Sequence, residues 1–309
     1  MKRFLIQIFS FILLVVILWS IISAIVDSNL KKVEFDYFAL NNYMKGDIHS
    51  NVLIMGNSRA KGDISPFIID SILNVDSYNL GMAGINYPVQ VALYQIYLKY
   101  NNAPDYIIQT VDNISLASGM HREEAFLPHL DEPIVSDLLL QYGNLRSIDY
   151  YLPFKYVYRP QAIVYGMMEF LGFHQKSTMY KGYEPQNKIW DGDFDRLKVK
   201  NTEGDVTHYD PALFGLFEDY VKEVLQKNTK IIFVFAPQYI EGQEYIKNRH
   251  EAVSFYQDLS QKYQILFLDY SQDSISYNKD YFYDTQHLNT KGAEAFSRKL
   301  ANDLIDVIK

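Results

Sequence analysis

Five short apolar runs, separated by stretches with helical periodicity, constrain the fold of this chain more than any other feature. They are VLIMG (residues 52–56), SYNLG (77–81), YIIQTV (106–111), KIIFVFAP (230–237) and residues 265–269. Helix patterns lie between them at 66–73, 89–100, 213–226 and 244–263, and a last one runs over 290–308 behind a capping Asn289 or Thr290. Strands that are apolar throughout are buried on both faces. The pattern therefore predicts an α/β three-layer sandwich around a five-stranded, mostly parallel sheet. In such sheets, function gathers at the C-terminal ends of the strands.

The alternation stops between Ser115 and Pro211 for about 95 residues, too long for a structureless loop in a compact domain. The expectation is a large insertion after the third strand, residues 115–210, with a helix over 160–171, lying as a lid above the functional rim. Residues 51–309 form the α/β domain and 27–50 a polar stem.

Residues 1–26 decide the compartment. Positions 4–26 read FLIQIFSFILLVVILWSIISAIV, without a formal charge. About 23 residues at 1.5 Å each cross a hydrocarbon core of about 30 Å. Lys2 and Arg3 precede the run and Asp27 follows it, which keeps the N-terminus cytoplasmic and puts the remainder outside. A cleavable signal peptide has a shorter apolar core and an Ala-x-Ala-like site; here Ala24 has Ile22 where a small residue is needed. The reading is a single-pass, uncleaved anchor with an extracytoplasmic domain.

Composition excludes several classes. A net charge of −8 with no dense basic patch argues against a nucleic-acid partner. The absence of cysteine excludes disulfides, a thiolate nucleophile, Cys-ligated zinc and a lipoprotein anchor. The histidines other than His287 are scattered without ligand spacing, so neither a metal nor a cofactor is expected. The 26 tyrosines suit sugar-binding surfaces and also ordinary cores. Glu123 and Glu124 read as solvated.

Chemistry concentrates in two segments. VLIMGNSRA carries Ser58 just after the first strand, and YDTQHLNTKGAEAF carries Asp284 three residues before His287. A serine hydroxyl needs a base, and the base needs an orienting carboxylate. Ser58 follows strand one, Gly84 strand two, Asn113 strand three, and Asp284 with His287 lie beyond strand five. All fall on the same rim. Each has a plainer reading: Ser58 as a helix cap, Gly84 as a turn residue, Asn113 as a turn or cap, Asp284 and His287 as a capped turn.

These segments resemble the four sequence blocks of the SGNH (GDSL-like) hydrolase superfamily. The resemblance covers the domain apart from the insertion and implies a flavodoxin-like sandwich. It implies Ser58 of GNSR as nucleophile, Asp284 and His287 of DTQH as its charge-relay partners, and an oxyanion hole of Ser58 and Gly84 backbone N–H groups with the Asn113 side chain. GNSR replaces the Gly-Asp-Ser-Leu string, and Asp112 stands where the family has Gly. A carboxylate there opposes an oxyanion unless it points away or pairs with a cation such as Arg59. Arg59 itself is either in a structural ion pair or a contact for a substrate anion. With its anchor, the chain is more similar to members that O-acylate the cell envelope, of the alginate O-acetyltransferase and D-alanyl-lipoteichoic acid biosynthesis kinds. The implied function is a serine O-acyltransferase on an envelope or exported polysaccharide. A glycan would be the acceptor and a multi-pass membrane-bound O-acyltransferase the partner. An esterase or deacetylase, and a non-catalytic envelope assembly protein, are the alternatives.

Overall fold

A computed structural model describes residues 1–33, 38–119, 122–144, 153–174 and 177–308. His121 lies outside them. The chain divides into two compact units: Met1–Asn42 with Arg122–Ser177, and Tyr43–His121 with Thr178–Lys309.

The larger unit holds the sheet. Strands β1 (Val52–Met55), β2 (Ser77–Asn79), β3 (Tyr106–Thr110), β4 (Lys230–Phe235) and β5 (Leu266–Asp269) are all parallel, in the order β2-β1-β3-β4-β5. This is the flavodoxin-like order, in which the chain reverses direction across the sheet between β1 and β3. The expected sheet is present strand for strand, each one or two residues shorter than its apolar run. Every residue of β1 and β3 is buried, as central strands covered on both faces must be.

Alternation along each strand sends side chains to two cores. On one face Val52, Ile54, Ile108 and Val234 meet Phe296, Leu300 and Leu304 of the last helix, Thr290–Leu304. On the other, Phe233 meets Phe217 of helix Pro211–Gln226 and Tyr256 of helix Arg249–Tyr263. The single helix expected over 244–263 is two, Ile240–Tyr245 and Arg249–Tyr263. Asp205 causes the break: its N–H takes the Tyr245 carbonyl, and its own carbonyl takes the Lys247 N–H. A backbone partner from outside the helix thus replaces the next helical turn.

The smaller unit is built on the N-terminal helix Lys2–Leu30, which is long and apolar enough to cross a membrane, with a mean hydropathy of 2.8 over an 18-residue stretch. Its C-terminal turns are part of this unit's core: Val26 and Leu30 are fully buried. The helix expected over 160–171 is Pro160–Phe170, in this unit. Glu123, expected to be solvated, is buried; it accepts from Arg159 at 3.1 Å and from the Asn144 backbone N–H at 2.8 Å. The stretch read as one insertion is therefore divided. Its described residues from 122 to 174 belong to the smaller unit, and those from 178 to 210 belong to the sheet unit.

Candidate active site

The turn after β1 is held by sterics and by side-chain hydrogen bonds. Gly56 has φ +148°, and a Cβ there would collide with Thr110 Oγ1 and Ala60. Glycine is what lets the β1 exit pass this close to β3. Asn57 caps the short helix Ser58–Asp63: its Oδ1 accepts the Arg59 N–H at 3.0 Å. Ser58 is therefore not the cap but the first helical residue. Its side chain is left to other partners, and its N–H belongs to the first turn, where amides have no helical acceptor.

Ser58 Oγ lies 2.7 Å from His287 Nε2. His287 Nδ1 lies 2.8 and 3.0 Å from the two carboxylate oxygens of Asp284. Asp284 Oδ1 also accepts the backbone N–H groups of Gln286 and His287, each at 2.8 Å. An ionised carboxylate can only accept, so it fixes the proton on Nδ1 and leaves the Nε2 lone pair facing the Ser58 hydroxyl. Burial pushes the Asp284 carboxyl up. The His287 hydrogen bond, the imidazole charge and the two backbone donors outweigh that, and hold it below the ordinary carboxylate value. Tyr283 stacks on the His287 ring at 5.4 Å and 4°, which fixes the plane of the base.

A cleft of about 390 Å³ opens over Ser58, bordered by Gly84, Asn86, Gly119 and His287. Gly84 has φ +74°, a conformation that suits glycine. Among the described residues, neither the Ser58 nor the Gly84 N–H donates to a protein acceptor. A second cleft, of about 510 Å³, adjoins the imidazole. It shares Gln286 and His287 and is lined further by Asp191, Phe194, Arg196 and Lys200.

Two expected residues have their side chains engaged by other partners. Asn113 is buried and donates its amide to Thr207 Oγ1 at 3.0 Å, so it does not border the Ser58 cleft. Its place follows from Asp112, which accepts from Asn57 Nδ2 at 2.6 Å and from the Ser115 N–H at 2.7 Å and so anchors the turn that begins there. The Asp112 carboxylate is thus engaged by Asn57 and Ser115. The Arg59 guanidinium is 2 % exposed, donates to the Ala236 and Pro237 carbonyls, and lies 5.2 Å from the Phe235 ring. It braces the end of β4. Burial pulls its pKa down, and the charges of Asp112 and Asp63 oppose that fall.

Sequence reading did not single out Asn57, Asp63, Asn79 or Ser115. Asn79, at the end of β2, donates to the Ala60 and Ile64 carbonyls at 2.7 and 3.0 Å, tying the second strand to the Ser58 helix. Asp63, fully buried, accepts the N–H of Leu288 at 3.1 Å and so ties that helix to the residue after the base. Burial raises the Asp63 carboxyl to about 7, against the lowering charges of His287 and Arg59. For Asn57 and Asn79 the only signal is a polar side chain within or directly after an apolar run, which ordinary turns also show, and Asp63 and Ser115 carry no local signal.

No family model matches the chain, and no curated protein matches it in sequence. Solved structures align over most of its length at low identity. An acetyl xylan esterase is 12% identical, with a TM-score of 0.40, over 84% of this chain and 99% of its own. A GDSL-like lipase from Bacteroides thetaiotaomicron is 11% identical, with a TM-score of 0.34, over 82% and 87%. An acetyl xylan esterase from the rumen bacterium Butyrivibrio proteoclasticus is 10% identical, with a TM-score of 0.37, over 84% and 64%.

Proposed function

We propose that the chain is a membrane-anchored, extracytoplasmic serine O-acyltransferase that moves acyl groups to an envelope or exported polysaccharide through an acyl-Ser58 intermediate. The observation that carries this reading is the continuous Ser58–His287–Asp284 relay, with contacts of 2.7 and 2.8 Å, at the β1/β3 reversal of a parallel sheet.

His287 Nε2 removes the Ser58 proton as Oγ bonds to the acyl carbonyl carbon. The Ser58 and Gly84 N–H groups stabilise the oxyanion, each such donor being worth roughly 10²–10³ in rate. The imidazolium returns the proton to the departing oxygen as the donor C–O bond breaks. In the second half, an acceptor hydroxyl gives its proton to His287 and attacks the ester carbonyl, and Ser58 leaves with that proton. The two clefts that share His287 suit a donor in the one lined by Ser58 and an acceptor in the other. A multi-pass membrane acyltransferase is the supplier this arrangement would draw on.

A second reading, hydrolysis by an esterase of the same site, is favoured by the 22 % exposure of the His287 side chain, which gives water a route to the base. Purified full-length protein offered an activated acetyl ester and a glycan separates the two. Transfer predicts acetylated glycan in excess of free acetate, whereas acetate alone would leave the esterase. Loss of both products on Ser58→Ala supports either enzyme, and unchanged turnover in that variant would contradict both.

A further inference from the structure

Within the smaller unit, residues 153–173 reach down the side of the N-terminal helix into its apolar run. Ser23 Oγ donates to the Pro153 carbonyl at 2.7 Å, and the Trp19 ring meets Phe154 edge-on at 6.3 Å. Gly166 backs onto Val26 so closely that a Cβ at 166 would lie 3.0 Å from the Val26 Cα. Val26 is the last apolar residue before Asp27. At 1.5 Å per residue, Ser23 and Trp19 sit about 5 and 10 Å inside the run. The aqueous border is marked by Asp27, which accepts from Lys155 Nζ at 2.8 Å and from the Tyr156 hydroxyl.

Tyr158 and the exposed residues from Val164 to Phe173 give this segment, apart from Gln161, a largely apolar surface. Helix Pro160–Phe170 buries Ala162 and Gly166, while Val164, Phe170, Leu171 and Phe173 are 53, 54, 64 and 64 % exposed. Tyr158, 85 % exposed, stands two residues before the helix, as amphipathic rings do at the headgroup level. A segment that packs on an anchor about 5–10 Å inside its apolar run occupies the depth at which interfacial helices lie.

We propose that residues 153–173 are a second membrane-contacting element, seated in the headgroup and acyl boundary of the outer leaflet beside the anchor, with lipid covering Val164, Phe170, Leu171 and Phe173. This rests on the reading of residues 4–26 as a retained span. The contact adds apolar area to a single span and fixes its rotation about the membrane normal, so that the smaller unit sits down on the bilayer.

The chain has no cysteine, so single labels can be placed cleanly. Val164→Cys, Leu171→Cys and Phe173→Cys would be made in the full chain, spin-labelled, and reconstituted in phosphatidylethanolamine–phosphatidylglycerol vesicles. Leu13→Cys in the anchor and Val199→Cys on the sheet unit are the references. The expected result is collision with oxygen exceeding collision with a water-soluble nickel complex at 164, 171 and 173, as at 13, with the reverse at 199. Aqueous values at 164, 171 and 173 with lipid values at 13 would overturn the proposal and leave the anchor. Aqueous values at 13 as well would overturn the anchor reading itself. Protection that appears only in native membranes, and not in pure lipid, would assign the face to a membrane protein and overturn lipid as its occupant.

Discussion

The chemistry of single residues turns on where their protons sit. Asp284 selects the His287 tautomer that can accept from Ser58. Asp284→Asn removes that selection while leaving the cleft intact, so kcat is expected to fall by about 10⁴ with little change in KM; steady-state kinetics on an acyl ester checks it. Asp63 is a different case, because it is buried with one carboxylate oxygen unpaired. Its folded-state value of about 7 lies above the ordinary 3.8, so between these the folded chain holds a proton that the unfolded chain has lost. Stability contributed by that proton is therefore complete below about pH 4 and is lost as pH rises towards 7. Asp63→Asn keeps an acceptor for the Leu288 N–H without the charge. Thermal melts of the full chain in detergent between pH 5 and 8 should show a flatter pH dependence for the variant, and a higher Tm than the parent at pH 8.

The elements place these residues through a few close approaches. β1 exits beside β3 because position 56 has no side chain, and Gly56→Ala should cost about 2 kcal/mol or more through the Thr110 collision and the backbone strain. Asp112 holds the Asn57 turn from the end of β3. Asp112→Ala leaves the Asn57 amide and the Ser115 N–H without their acceptor, at about 1–3 kcal/mol. Its expected signature is a lower denaturation midpoint together with a kcat loss larger than the change in KM. This scale also shows what could be read in advance. The central strands β1, β3 and β4 were legible because a doubly covered strand must be apolar, and the Asp284–His287 spacing because three residues bring a carboxylate back onto its own turn. The displacement of Asn113 to Thr207 and of Arg59 to the β4 carbonyls was not legible. Each depends on a partner more than 90 residues away, where local pattern carries no information.

At the scale of the whole molecule, sequence alternation reports on the sheet unit and is silent about the other. The smaller unit joins residues far apart in the chain, and its core uses Val26 and Leu30 from the helix that also reads as a span. Cleavage near Ala24 would remove Trp19 and Ser23 from their contacts with Phe154 and Pro153. The mature protein is accordingly expected to keep its N-terminal helix and to resist alkaline extraction from membranes; intact-mass analysis of the extracted chain checks both. The central claim is that Ser58 is an activated nucleophile facing the extracytoplasmic side. The most direct test is to treat the full-length protein with a fluorophosphonate and locate the adduct by peptide mass spectrometry. The account predicts modification at Ser58, lost in His287→Ala, whereas an unmodified Ser58 in protein that melts as a folded chain would contradict it.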